Sequence, residues 1–147
     1  MSEKEMIMTR TLCVAVLALG LGLPAVAADL SKQTPIEVRV ALGSAAGALE
    51  FSPKDLEFET GKLYKLVLVN PSKVKHYFSA LRFAAAVWSR KVETEDAEIK
   101  GAIREIEVLP GGEAEWFFVP VQAGSFDLEC TIEGHAEAGM KGAITVR

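Results

Sequence analysis

The chain has 147 residues, 50% of them hydrophobic, and a formal charge of −4. That length gives room for one domain with a real core and not for two. The mild negative charge argues against a nucleic-acid binder, which would show a basic face, and the sequence carries no phosphate-cradling glycine loop, internal repeat or low-complexity tract.

At the N-terminus, Lys4 and Arg10 precede an apolar run from Leu12 to Leu23, followed by Pro24 and the small residues Ala25-Val26-Ala27-Ala28. A basic region, a short apolar region and an A-x-A site, in that order, make a secretory signal peptide. The run is shorter than the roughly 20 residues of a transmembrane helix. The expectation is a signal peptide over 1–27, cleaved after Ala27 or Ala28, and one domain over 28–147. The mature protein is expected to be periplasmic or secreted, with no transmembrane segment. Cys13 leaves with the leader, so Cys130 is the one remaining thiol, Met140 the one methionine, and His76 and His135 the two histidines. A leftover cysteine in an exported protein is a reactive or metal-bound candidate.

The mature chain reads as short strands separated by turn signals, the pattern of an all-β sandwich. Ile36 to Val40 alternates apolar and charged residues, and so does Leu56 to Glu59 until Gly61 breaks it. Lys62 to Asn70 is a long strand whose apolar end is expected to be buried on both faces. Asn70-Pro71-Ser72 closes it with a turn. Ser79 to Val92 is alanine-rich, and Leu81, Ala84, Ala85, Trp88 and Val92 recur at helical spacing, which predicts a short inserted amphipathic helix. Its Leu81 and Trp88 would either cover one end of the sandwich or anchor a partner. Thr94 to Lys100 follows as a charged, exposed loop. Ile103 to Val108 and Ala114 to Val119 are strands, and Pro110-Gly111-Gly112 between them is a hairpin signal. Gly124 to Cys130 and Gly142 to Arg147 complete seven or eight strands.

Between the last two strands lies Cys130-Thr-Ile-Glu-Gly-His135-Ala-Glu-Ala-Gly-Met140, a C-x4-H-x4-M run. A soft thiolate, an imidazole and a thioether suit copper, which cycles between soft Cu(I) and harder Cu(II). Zinc rarely takes a thioether, and calcium or magnesium would want oxygen. Gly134 and Gly139, each directly before a candidate ligand, let the loop turn tightly. A second imidazole can come only from His76, which the strand reading places in the loop after the long buried strand. Two separately anchored loops can hold a Cys-His-His set with a distant Met and leave little to move when an electron arrives.

This arrangement resembles the type 1 (blue) copper proteins, the cupredoxin family. The resemblance covers nearly the whole mature chain in strand order and is strongest in the last quarter, where the loop spacing is most similar to rusticyanin and auracyanin. Azurin and plastocyanin carry the same ligand types at shorter spacings. The resemblance implies a Greek-key β-sandwich holding one copper ion. It further implies that Cys130 is the coupling thiolate, His76 and His135 the imidazole ligands, and Met140 the weak axial ligand. His135 would lie nearer the surface, as the electron exit. Many members carry Asn or Ser after the first histidine to tie its loop to the cysteine loop. This chain has Tyr77 there, leaving Ser79 or a backbone amide to make the tie, with Thr131 in the usual place after the cysteine.

The expected function is single-electron transfer between redox proteins, one of them a basic partner such as a c-type cytochrome. Glu133 and Glu137 beside His135, and Lys73 and Lys75 beside His76, are either a solvated rim or a steering face. No substrate base or nucleophile accompanies the site, so the chain is expected to be a carrier and not an enzyme. Both histidines are used in one site, which leaves none for the second copper centre of a copper oxidase. The rival reading is a copper-binding protein for sequestration or delivery without a redox circuit. Methionine- or histidine-rich tracts would favour it, and the chain has none.

Overall fold

The structure, a computed structural model, describes residues 29–147. The expected signal peptide and its cleavage site fall on residues 1–28, outside the described residues. After a short 3-10 turn at Leu30–Lys32 come β1 (Ile36–Leu42), β2 (Phe51–Ser52), β3 (Asp55–Phe58), β4 (Tyr64–Val69) and β5 (His76–Ser79). A single helical turn and a half, α1 (Leu81–Ala85), leads into β6 (Val87–Glu93) and β7 (Glu98–Ile99). Then follow β8 (Glu105–Val108), β9 (Glu113–Pro120), β10 (Gly124–Glu129) and β11 (Lys141–Val146). One sheet has the order β2-β1-β4-β9-β6-β7 and the other β3-β11-β10-β5-β8. No helix among the described residues is long and apolar enough to cross a membrane.

The all-β sandwich with one short helix is therefore present, and the seven strands read from the sequence are all there. The extra strands have physical reasons. β2 and β7 are two-residue pairings at sheet edges, too short to show a pattern. β5 begins at His76 itself, which thus heads a strand and does not sit in a loop; its register pairs His76 with Val108 and Ser79 with Glu105.

The inserted helix lies within the expected window but stops after Ala85. From Val87 the chain pairs with β9, Val87 opposite Pro120 and Val92 opposite Trp116, and the Trp116 indole N–H donates to Ser89 Oγ at 2.9 Å. Pairing along a sheet edge overrides alanine's helical preference. The buried face differs too. Phe83 is fully buried, whereas Leu81 and Trp88 are 55% and 46% exposed, so they do not cover the sandwich end. Phe83 stacks on Phe58 at 5.5 Å and meets Phe118, Trp116 and Phe126 edge-on, which fastens α1 into the aromatic centre of the core.

Pro110-Gly111-Gly112 is a turn, as its residues demand, but no hairpin. β8 belongs to one sheet and β9 to the other, so the turn carries the chain across the sandwich. Asn70 at the end of β4 receives it: the Gly111 N–H donates to the Asn70 carbonyl at 2.8 Å and the Asn70 N–H to the Gly112 carbonyl at 3.0 Å. β4 itself is buried on both faces as expected, with Leu66, Val67 and Leu68 all at 0% exposure.

Candidate metal centre

β10 and β11 form an antiparallel ladder running from Gly124 opposite Val146 to Glu129 opposite Lys141. The residues between, 130–140, are the connection at the end of that ladder, and their own backbone closes them. The Cys130 N–H donates to the Met140 carbonyl at 3.1 Å, the Met140 N–H to the His135 carbonyl at 2.9 Å, and the His135 N–H to the Ile132 carbonyl at 3.0 Å. Gly134 and Gly139 take φ of +81° and +112°, where a side chain is strained. Cys130 and Met140 are both fully buried, and His135 is half-buried.

His76, at the head of β5, comes to the same place. One ring nitrogen of His76, one of His135 and the Cys130 sulfur all lie within 4.8 Å of one another. The Nδ1 of His76 is 3.9 Å and that of His135 is 3.5 Å from Cys130 Sγ. The imidazole centroids are 5.1 Å apart and tilted by 53°. Burial, and then the neighbouring His135, hold the His76 imidazole below the usual histidine range, which favours the neutral form that binds a metal.

The tie between the two segments is made by the substitutes the sequence offered. The Tyr77 backbone N–H donates to Cys130 Sγ at 3.4 Å. Ser79 Oγ donates to Glu105 Oε2 at 2.5 Å, Thr131 Oγ1 donates to the same oxygen at 3.3 Å, and the two hydroxyls are 3.4 Å apart. Glu105, on β8, therefore fastens the strand of His76 to the residue after Cys130. Sequence reasoning missed it, because its partners are 26 residues away on either side. It also missed Ser72, whose Oγ is 2.9 Å from His76 Nε2; the Asn70-Pro71-Ser72 turn was the available signal. Of the flanking charges, Lys75 is paired with Glu107 at 3.0 Å. Glu133 and Glu137 are exposed, and neither forms an ion pair among the described residues.

A buried thiol, two imidazoles aimed at it and a methionine at the base of the same loop make a soft, compact donor set. Among first-row metals such a set fits copper. Residues 38–147 match the model of the plastocyanin/azurin family of copper-binding proteins. The chain belongs to that family; it is a copper-binding protein of the cupredoxin type.

Among its relatives, the copper-resistant cuproprotein CopI of Rubrivivax gelatinosus is 31% identical over 104 residues, which are 67% of this chain and 61% of that one. The chain thus spans less than two thirds of that relative's length. Auracyanin A, a blue copper protein of Chloroflexus aurantiacus, superposes with a TM-score of 0.52 at 18% identity over 78% of this chain and 100% of its own. The multicopper oxidase McoA of Aquifex aeolicus superposes with a TM-score of 0.59 at 16% identity, over 78% of this chain but 31% of its own. At these identities the two superpositions speak for the fold.

Proposed function

We propose that the protein carries single electrons on one type 1 copper held by His76, Cys130, His135 and Met140, in the periplasm or outside the cell. The observation that carries this reading is that the Nδ1 atoms of both histidines face one buried thiol, at 3.9 and 3.5 Å. Bound there, copper supplies a one-electron couple tuned by thiolate, imidazole and thioether donors. The protein's own part is to keep the donors still. His76 is held by β5, and Cys130 and Met140 by the β10–β11 ladder. The Tyr77 N–H bonded to Sγ supports the thiolate and restrains it. Little then has to rearrange between the two oxidation states, which favours fast transfer.

A carrier is favoured over a copper enzyme because the chain's two histidines both stand in this one cluster. The second reading, copper sequestration or delivery, is favoured by the likeness to a copper-resistant cuproprotein. The two readings separate on the copper(II)-loaded protein. An electron carrier shows a strong visible absorption from thiolate-to-copper charge transfer, with a matching EPR spectrum, and is reduced and reoxidised without losing metal. Cys130→Ser should abolish that band, since an oxygen donor lacks the sulfur's covalency. A protein that takes up copper(II) and stays colourless, or releases the metal on each reduction, belongs to the second reading.

A further inference from the structure

The buried imidazole is held from behind by a polar set outside the four candidate ligands. While His76 Nδ1 faces Cys130, its other nitrogen, Nε2, lies 2.9 Å from Ser72 Oγ. That hydroxyl is also 2.8 Å from Asn70 Oδ1 and 2.8 Å from the Val74 carbonyl. Asn70 is itself fixed: its Nδ2 donates to the Val74 and Val108 carbonyls, each at 2.8 Å, and its Oδ1 accepts the Ser72 N–H at 2.9 Å. Asn70, Ser72 and His76 are 1%, 6% and 0% exposed, so the set is closed off from bulk solvent. Gly43 closes the remaining side. A Cβ at Gly43, which has φ of +72°, would stand 2.6 Å from Nε2.

Hydrogen counting settles the direction of the Ser72–His76 bond. A hydroxyl has one hydrogen, and two oxygens that can only accept stand 2.8 Å from it. Sending the hydrogen to Nε2 would leave both close oxygen contacts as lone pair against lone pair. Shared between those oxygens, it leaves Ser72 Oγ to accept, and its two lone pairs receive the Val74 N–H at 3.3 Å and, closer at 2.9 Å, Nε2–H. The protonated nitrogen of a neutral imidazole is set by the bond its other nitrogen makes.

We propose that Ser72, oriented by Asn70, is a positioning residue that holds metal-free His76 as the Nε2–H tautomer, with the bare Nδ1 turned toward Cys130. The inference rests on the reading of His76 as a copper ligand. It makes the buried half of the site complete before metal arrives, with neither a tautomer change nor a ring rotation left for copper to drive.

The test is a long-range proton–nitrogen NMR spectrum of the nitrogen-15-labelled, metal-free protein at mildly alkaline pH. His76 should show protonated Nε2 and bare Nδ1. In Ser72→Ala the tautomers should mix, and copper(II) should bind about 10- to 100-fold more weakly. A wild-type spectrum dominated by Nδ1–H overturns the proposal, and that result needs no variant to fold. Retention of the wild-type tautomer and copper affinity in a folded Ser72→Ala protein overturns it too. An Nε2–H spectrum together with a colourless copper(II) adduct would instead keep this arrangement and remove the electron-carrier reading.

Discussion

At the scale of single residues, the two histidines are not equivalent. His76 is fully enclosed and bonded through both ring nitrogens' surroundings to Cys130 and Ser72, whereas His135 is half-buried in a loop. Met140 differs again: it is fully buried and immediately precedes β11. In the proposed site Met140→Gln should leave copper bound and lower the reduction potential, because an amide oxygen is a harder donor that favours Cu(II). Voltammetry and the visible spectrum check this, and an unchanged potential would remove Met140 from the ligand set. The convergence of His76, Cys130 and His135 was legible because thiols and imidazoles are scarce in this chain and three chemically matched side chains had to be placed somewhere. Ser72, Asn70 and Glu105 were not legible. Hydroxyls, amides and carboxylates are common on any surface, and only tertiary contact separates these from the rest.

At the scale of elements, strands with one wet face were readable from alternation, as in Ile36 to Val40, where Glu37 and Arg39 are exposed, Val38 is half-buried and Val40 is buried. The α1 segment was readable only in part, because periodicity proposes a face without knowing which neighbour exists. Leu81, Ala84, Ala85, Trp88 and Val92 formed the apparent stripe, yet Leu81 and Trp88 are exposed, Val92 is buried as part of β6, and Phe83 is the residue that carries α1 into the core. The difference is measurable. Phe83→Ala should cost about 3–5 kcal/mol of stability, the usual range for a buried aromatic, while Leu81→Ala should stay within about 0.5 kcal/mol, as surface changes do. Denaturant unfolding of the two variants decides it, and equal losses would show that Leu81 is covered in solution. The Pro110-Gly111-Gly112 turn teaches a similar lesson. Local chemistry specifies a reversal of the chain, but the sheet that the returning strand joins depends on Asn70, some forty residues earlier in the sequence.

At the scale of the whole molecule, the proposed carrier needs a face on which to meet its partners. The loop around His135 presents Ala136, Ala138 and Gly139, with the exposed acids Glu133 and Glu137 beside them. Small residues allow close approach, and the acids would attract a basic partner such as a c-type cytochrome. Reversing both charges (Glu133→Lys with Glu137→Lys) should slow association by roughly tenfold at low ionic strength and flatten its dependence on salt, since rim charges act on the on-rate. Colour and potential should hold. Stopped-flow reduction across a range of ionic strength is the measurement. Unchanged rates there, with slowed rates for Trp88→Ala, would move the docking face to β6.

The register of the second sheet also sets an order of events in folding. β3 finds its strand partner in β11: Asp55–Phe58 pair in parallel with Ala143–Val146, far along the sequence. Until β11 is in place, β10 lacks its hairpin mate and the segment after Cys130 has one anchor instead of two. Pairings of such long separation close late. In the proposed site the metal loop is therefore settled only once β11 has paired. A domain with β11 still unpaired holds the Cys130 thiol on a loop with one loose end, so the proposed site takes shape among the last of the tertiary contacts.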